Sequence, residues 1–159
     1  MLRLAFAFSG PSNSGKTTLI EKLAKVFQAQ GLKVVILKHD PANKAKFDTP
    51  GKDSFKFFQS GADTIVLSPT QTSFFKHGEL SLEECFKLAN AFDIFLVEGL
   101  KSLDLPRLSV FCGALDESYF DFSLGIASYE KPKVQGLKWL FLDDIEQIAK
   151  FVLENAKKV

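Results

Sequence analysis

Three features are scarce or missing in this 159-residue chain, and each argues against a class of function. No apolar run approaches the ~20 residues that a membrane-spanning helix requires. The two cysteines, Cys85 and Cys112, lie far apart without metal-ligand spacing around them, which argues against a cysteine-based zinc site. The formal charge of +1 gives no overall attraction to nucleic acid or anionic membrane. We therefore expect a cytoplasmic protein that binds neither.

Phenylalanine, in contrast, is abundant, with 17 residues spread mostly through apolar runs. Hydrophobic residues make up 46% of the chain and charged residues 25%, which is typical of a soluble globular protein. We read the phenylalanines as core residues. A chain of this length fits one domain, so we predict a single domain over residues 1–159.

Apolar runs alternate with amphipathic stretches, which predicts an α/β domain with a mostly parallel central sheet and helices on both faces. The apolar runs predict strands at residues 4–8, 34–37, 64–67, 94–97, 108–111, 124–127 and 139–142, with a weaker edge strand at 70–75. Helical periodicity predicts helices at 17–30, 54–60 and 81–91. A capping-box pattern from Asp143 to Glu146 predicts the start of a final helix. The polar stretch 39–52 predicts a mobile loop.

Residues 10–17 match G-x-x-x-x-G-K-[ST], a pattern that wraps nucleotide phosphates; they are Gly10, Pro11, Ser12, Asn13, Ser14, Gly15, Lys16 and Thr17. Two glycines let the backbone curl so that its N–H groups point at phosphate oxygens. The helix that follows adds the positive end of its dipole. A chance glycine turn is disfavoured because a buried strand precedes the pattern and an amphipathic helix follows it. The sequence thus predicts a P-loop NTPase-type domain.

Polar residues also follow several predicted strands at the point where each strand ends. They are Ser9 with Gly10, Lys38 with His39 and Asp40, Ser68, and Glu98 with Gly99. Ligands of open α/β sheets bind beyond the carboxyl ends of the strands, so we expect these residues at one edge. Asp93 precedes its strand and belongs at the opposite edge.

Thr17, Asp53 and Glu98 are the predicted metal residues. The Thr17 hydroxyl stands where a phosphate loop ligates Mg²⁺. Glu98 follows four apolar residues, as the acidic residue of a Walker B strand does, and could place the attacking water. Asp53 is the second candidate for the outer shell of the metal, and it could also serve as the N-cap of the short helix after it. Asp40 is a weaker candidate.

Only two arginines, Arg3 and Arg107, occur in the chain. Fast phosphoryl transfer usually recruits arginine to the developing charge, with an effect of ~10³–10⁵ in rate. Arg3 precedes the first strand, so only Arg107 could act in this way. Lysines lack the bidentate fork of arginine. We therefore predict slow intrinsic hydrolysis.

Four blocks of sequence together are more specific than the phosphate loop alone. They are residues 10–18, Leu37 to His39, residues 50–54 with Gly61 and Ala62, and residues 96–101, which read Leu-Val-Glu-Gly-Leu-Lys. In this combination the chain resembles the MobB family of molybdopterin-guanine dinucleotide biosynthesis accessory proteins. The likeness covers nearly the whole chain. It departs from the family after His39, where Asp40-Pro-Ala-Asn-Lys44 stands in place of further histidines.

The resemblance implies a GTP-binding protein with weak GTPase activity, usually a homodimer, that assists the enzyme joining GMP to molybdopterin. It places Gly15, Lys16, Thr17 and Thr18 at phosphate and magnesium, and Asp53 and Glu98 near the metal and γ-phosphate. We add Lys38, His39 and Lys101 as nucleotide-binding candidates. The choice of GTP rests on the resemblance, because the chain has no Asn-Lys-x-Asp guanine-reading motif.

Two alternatives use the same residues differently. A small-molecule kinase would pass the γ-phosphate to a metabolite, although such kinases commonly carry an arginine-rich lid. A scaffold protein would retain the fold with a vestigial nucleotide site, which the intact Gly-Lys-Thr disfavours.

Overall fold

The computed structural model describes all of residues 1–159, which form two compact units. One unit contains Met1–His39 and Ala89–Val159, and the other contains Asp40–Leu88. The prediction of one domain over the whole chain stays a prediction, since compactness does not test whether a unit unfolds by itself. None of the α-helices has the length and apolar content that a bilayer crossing needs.

The elements confirm the predicted alternation of strands and helices. In chain order they are β1 (Leu4–Ser9), α1 (Lys16–Ala29), β2 (Val34–Lys38), α2 (Asp53–Gln59), β3 (Thr64–Leu67), β4 (Thr72–Phe75), α3 (Leu82–Ala89), β5 (Ile94–Glu98), β6 (Arg107–Phe111), β7 (Gly125–Ser128), β8 (Lys138–Phe141), α4 (Ile145–Asn155) and β9 (Lys157–Lys158).

A seven-stranded sheet organises the first unit. Its strand order is β2-β5-β1-β6-β7-β8, and β9 pairs with β1. All pairs in this order are parallel, and only β9 runs antiparallel. The predicted α/β class with a mostly parallel sheet is confirmed. The sequence analysis missed β9, because two lysines at the end of the chain carry no strand signal.

Helices α1 and α4 pack together and cover one face of this sheet. Side chains of a strand alternate between faces, so Phe6 and Phe8 of β1 point into this core. The apolar stripes of the two helices supply the other half; their fully buried or nearly buried members are Leu19, Ile20, Leu23, Phe27, Ile148, Ala149 and Val152. The prediction that the phenylalanines are core residues is confirmed for β1, but it is wrong for Phe47, Phe57 and Phe74, which are exposed.

The opposite face carries a second cluster above β6. Phe111 packs edge to face with Tyr119 and Phe120, which belong to and follow the 3-10 turn Glu117–Tyr119. Ser109 points to the same side, where its hydroxyl lies 2.6 Å from that of Ser123. An irregular segment, rather than an α-helix, thus covers this part of the sheet.

The second unit contains α2, the β3–β4 hairpin and most of α3. Strand β3 pairs antiparallel with β4 in a separate two-stranded sheet. The expectation that Ser68 lies at the ligand edge of the main sheet is therefore wrong, because β3 does not extend that sheet. Ser81 and Glu84 form the predicted capping box at α3, with each side chain bonded to the other's backbone N–H.

The start of α4 differs from its predicted form. Asp144, not Asp143, is the N-cap, and its carboxylate accepts from the backbone N–H of Gln147 at 3.1 Å. The pattern D-x-x-E therefore sits one residue before the true cap. Asp143 is free of any capping role and lies at the carboxyl end of β8.

Replacing Asp144 by alanine should lower the free energy of unfolding by about 1 kcal/mol, because a helix N–H loses its acceptor. Asp143→Ala removes a similar charge one residue away and should change it by less than about 0.5 kcal/mol. Urea denaturation of both variants would measure the difference. Equal losses would contradict the assigned cap.

Candidate functional site

The loop between β1 and α1 is closely packed against β6. Gly10 has φ of 140°, and a Cβ at this position would lie 2.5 Å from the carbonyl oxygen of Val110. Gly15 has φ of 90° and forms the N-cap of α1. The backbone of Cys112 donates to the carbonyl of Ser14 at 3.0 Å, which ties the loop to the residue after β6. Both motif glycines are thus required by local geometry.

The Lys16 ammonium is held inside this loop. It donates to the carbonyl oxygens of Gly10 and Pro11 at 2.9 and 2.6 Å, and to the Ser14 hydroxyl at 3.2 Å. Burial lowers the pKa of Lys16 from the usual lysine value, and the charge of Glu98 opposes that shift. The loop therefore keeps a cation at its centre.

Helix α1 begins without the features that normally satisfy a helix N-terminus. Gly15 offers no side-chain cap, and the first turn contains no acidic residue. Helix α4, in contrast, has the Asp144 cap and Glu146 in its first turn. The first N–H groups of α1 and the positive end of its dipole thus have no anionic side chain of their own element.

Glu98 connects three elements at the carboxyl edge of the sheet. The parallel register places it beside Phe8 of β1 on one side and Lys38 of β2 on the other. These side chains share the face covered by α1, where the Thr17 hydroxyl donates to Glu98 Oε1 at 3.0 Å. The Lys38 ammonium lies 3.3 Å from the same oxygen. Only 12% of the Glu98 side chain is exposed, so the carboxylate of this ion pair is largely shielded from water.

A cavity of about 750 Å³ follows this edge of the first unit. Each of the six parallel strands is followed by a lining residue, from His39 after β2 to Leu142 and Asp143 after β8. The phosphate loop and the start of α1 form its floor; the lining there comprises Gly10, Ser12, Asn13, Ser14, Gly15, Lys16, Thr17, Thr18, Leu19 and Lys22. The cavity thus brings together most of the predicted phosphate-binding residues with Lys38, His39 and Glu98.

Several cavity residues escaped the sequence analysis, among them Cys112, Tyr129 and Asp143. They follow β6, β7 and β8, respectively. The rule that identified Lys38 and Glu98, that ligands bind beyond strand ends, applies equally to these strands. Their positions could therefore have been found by applying it to every predicted strand.

The remaining predicted residues lie elsewhere. Pro11 does not line the cavity, but its carbonyl binds Lys16. The Lys101 ammonium lies 3.7 Å from the centre of the Tyr119 ring and is not among the lining residues. Asp53 belongs to the second unit, where it is the first residue of α2 and its exposed carboxylate lies 3.4 Å from Lys56. Roles for Lys101 and Asp53 at a nucleotide stay predictions.

Asp40 and the two arginines are engaged in other contacts. Asp40 accepts from the backbone of Ala45 within the second unit. Arg107 is 2% exposed; its guanidinium donates to Ser9 Oγ and to the carbonyl oxygens of Leu100 and Leu103. Arg3 binds the carbonyls of Asn90 and Val159 at the opposite edge of the sheet. Neither arginine lines the cavity.

Comparison with known proteins gives one consistent result. Residues 5–124 match the family model of MobB, described as molybdopterin guanine dinucleotide synthesis protein B. The chain is 29% identical to the molybdopterin-guanine dinucleotide biosynthesis adapter protein of Escherichia coli K12, with 96% of this chain and 93% of that protein covered. The crystal structure of Bacillus subtilis MobB is 26% identical, with a TM-score of 0.79 over 98% of this chain and 99% of that one. A crystal structure of molybdopterin-guanine biosynthesis protein B is 28% identical, with a TM-score of 0.75 over 95% and 99%.

Gly10→Ala should destabilise the fold more than Gly31→Ala, although both glycines have positive φ. At Gly31 nothing lies within 4 Å of an added Cβ, so only backbone strain of about 1–2 kcal/mol is expected. At Gly10 the clash with Val110 should add about 1–3 kcal/mol. Urea denaturation compares the two variants; equal losses would show that the loop tolerates a side chain at Gly10.

Proposed function

Because this chain belongs to the MobB family, and so serves as an accessory protein in the synthesis of molybdopterin guanine dinucleotide, we propose that it does so as a GTP- and Mg²⁺-binding adapter. The observation that carries the nucleotide proposal is the arrangement of Lys16, Thr17 and Glu98 at the uncapped start of α1. The phosphates and the Mg²⁺ ion of a nucleoside triphosphate each have a complementary group among these residues.

The phosphates match the loop and its cations. Backbone N–H groups at the start of a helix bind anions, and α1 has no acidic residue in its first turn to compete with them. Lys16 supplies a charge at the centre of the loop, and Lys38 supplies a second one beside Glu98. Exchange of the Lys16 contacts with Gly10 and Pro11 for phosphate oxygens replaces neutral acceptors by charged ones.

The donor set also fits Mg²⁺. This cation prefers oxygen ligands and is usually bound through one or two protein groups together with substrate phosphates. Thr17 and Glu98 provide a hydroxyl and a carboxylate 3.0 Å apart. The chain has no group of three His, Cys, Asp or Glu side chains that could hold a metal by themselves, which agrees with a site completed by nucleotide. When bound, the ion would neutralise phosphate charge.

Hydrolysis is expected to be slow. Glu98 can accept a hydrogen bond from an attacking water, and its pairing with Lys38 holds the carboxylate in position. The only groups of fixed positive charge that line the cavity are lysines, which lack the planar fork of arginine. Buried Arg107 is committed to Ser9 and two backbone carbonyls. These features favour a protein that holds GTP over one that consumes it rapidly.

The adapter role requires a partner, the enzyme that joins GMP to molybdopterin. We also propose that the protein is a homodimer. The second unit exposes several large apolar side chains, among them Phe57 at 60%, Ile65 at 63% and Leu67 at 77%. Large exposed apolar side chains that lie together are typical of protein contact surfaces.

Lys16→Ala should weaken binding of GTP with Mg²⁺ by at least about tenfold, because a charge-assisted bond to phosphate is lost. Lys25→Ala is a matched control, since Lys25 lies on the same helix but is exposed and pairs with Glu21. Titration with a fluorescent GTP analogue gives both affinities. Parent-like binding by the Lys16 variant would contradict its assignment.

Glu98→Gln should leave GTP affinity within about threefold of the parent while slowing hydrolysis by about 10²-fold or more. The amide can still accept from Thr17 but carries no charge for Mg²⁺ or water. Single-turnover phosphate release measures the step. An unchanged rate would remove Glu98 from the reaction.

Mixing the chain with the GMP-transferring enzyme should give a complex that is detectable by calorimetry. The titration is made with GTP and Mg²⁺, with GDP, and without nucleotide. Lys16→Ala in place of the parent tests whether GTP controls the association. No association under any of the three conditions would contradict the adapter proposal and leave the nucleotide proposal intact.

A further inference from the structure

The end of the cavity opposite Glu98 carries an aromatic ring and a carboxylate, unlike the phosphate loop with its lysine. Tyr129 lies there directly after β7, and Asp143 lies there two residues after the end of β8. The Tyr129 hydroxyl donates to Asp143 Oδ1 at 3.4 Å, and its ring packs edge to face on Phe141. Both side chains remain about half exposed. A carboxylate next to an aromatic ring therefore forms this wall of the cavity.

The distance from the phosphate loop to this wall suits a nucleoside. Strands β1 and β8 are three places apart in the sheet order. At ~4.8 Å per strand, their carboxyl ends lie roughly 14 Å apart. This is about the distance by which sugar and α-phosphate separate a purine from its terminal phosphates. A nucleotide with its phosphates on Lys16 could thus reach Tyr129 and Asp143 with its base.

No role in folding accounts for the Asp143 carboxylate. The N-cap of α4 is the neighbouring Asp144. The ion pair of Asp143 with Lys22 is 3.9 Å long, and both side chains are about half exposed, so it contributes little to stability. The negative charge of Asp143 is nevertheless felt within the cavity, where it raises the pKa of Tyr129.

We infer that Asp143 selects guanine, by accepting hydrogen bonds from the N1–H and the 2-amino group of the base. This inference rests on the proposed function, that the cavity binds a purine triphosphate. A carboxylate only accepts hydrogen bonds, and the Watson–Crick edge of guanine offers two adjacent donors. Adenine offers an acceptor at N1 instead. The chain lacks the Asn-Lys-x-Asp motif, whose Asp binds guanine. Asp143, after β8, would take the place of that Asp.

Base analogues test this on the unaltered protein. Affinities for GTP, ITP, ATP and XTP are compared in one competition titration with Mg²⁺. ITP, which lacks the 2-amino group, should bind about tenfold more weakly than GTP, and ATP should bind more weakly still. Equal affinities for the four nucleotides would overturn the assignment of Asp143 and leave triphosphate binding established. No binding of any of them would instead overturn the proposed function.

Asp143→Asn should reverse the preference between GTP and XTP. Xanthine has a carbonyl in place of the 2-amino group, and the asparagine amide can donate to it. We expect GTP affinity to fall by about tenfold or more and XTP affinity to rise by a similar factor. A loss of structure cannot produce a gain in XTP affinity.

Asp144→Asn is the matched control, because asparagine is also a good N-cap and the same charge is removed one residue away. It should retain the nucleotide preference of the parent. A reversal in this control, or unchanged GTP and XTP affinities in Asp143→Asn, would overturn the inference. If Asp143→Asn proves unstable, Asp143→Glu keeps the carboxylate and should retain the preference for GTP over XTP, whereas a loss of that preference would count against Asp143.

Discussion

The parallel register of β1 with β5 is the constraint on which the site depends. It sets Phe8 beside Glu98, and thereby places an acidic side chain next to the strand that leads into the phosphate loop. Because Phe8 and Glu98 share the face covered by α1, the first turn of that helix brings Thr17 within hydrogen-bonding distance. A shift of one residue would turn Glu98 to the other face and separate it from Thr17. The packing of Phe6 and Phe8 against α1 and α4 makes such a shift costly, so the hydrophobic core itself maintains the polar site.

Much of this arrangement was accessible from sequence because its signals are local. The spacing of Gly10, Gly15, Lys16 and Thr17 identifies the phosphate loop within eight consecutive residues, and Glu98 follows four consecutive buried residues of β5. The β3–β4 hairpin was misplaced for a physical reason. The short apolar run 64–67 has no period that distinguishes a central parallel strand from a hairpin strand, and three of its four side chains prove to be exposed. The sequence analysis placed the start of the α4 capping pattern one residue too early, at Asp143. Either of two consecutive aspartates can be the N-cap, and only the helix geometry shows that it is Asp144.

The role of Arg107 could not be predicted from the sequence. Scarcity of arginine suggested it as the one candidate for phosphoryl transfer, whereas the structure uses its fork to bind Ser9 and the carbonyls of Leu100 and Leu103. Burial lowers the pKa of Arg107, but a guanidinium stays charged at neutral pH. Its three acceptors replace the lost hydration and fix the segment after Glu98 against β1. The guanidinium thus serves to shape the edge of the sheet, which leaves lysines as the cations of the cavity and weakens the case for a kinase.

The cavity is consequently polarised along the sheet. Lys16 and Lys38 make one end cationic, whereas Asp143 places a carboxylate at the other, near Lys22. A guanine nucleotide has the opposite asymmetry, with anionic phosphates at one end and hydrogen-bond donors on the base at the other. Reversing the nucleotide would bring phosphate against Asp143 and leave the partly buried Lys16 without an anion, so both ends favour a single orientation. If GTP binds as proposed, this polarity would let the cavity discriminate between nucleotides by binding alone, without turnover.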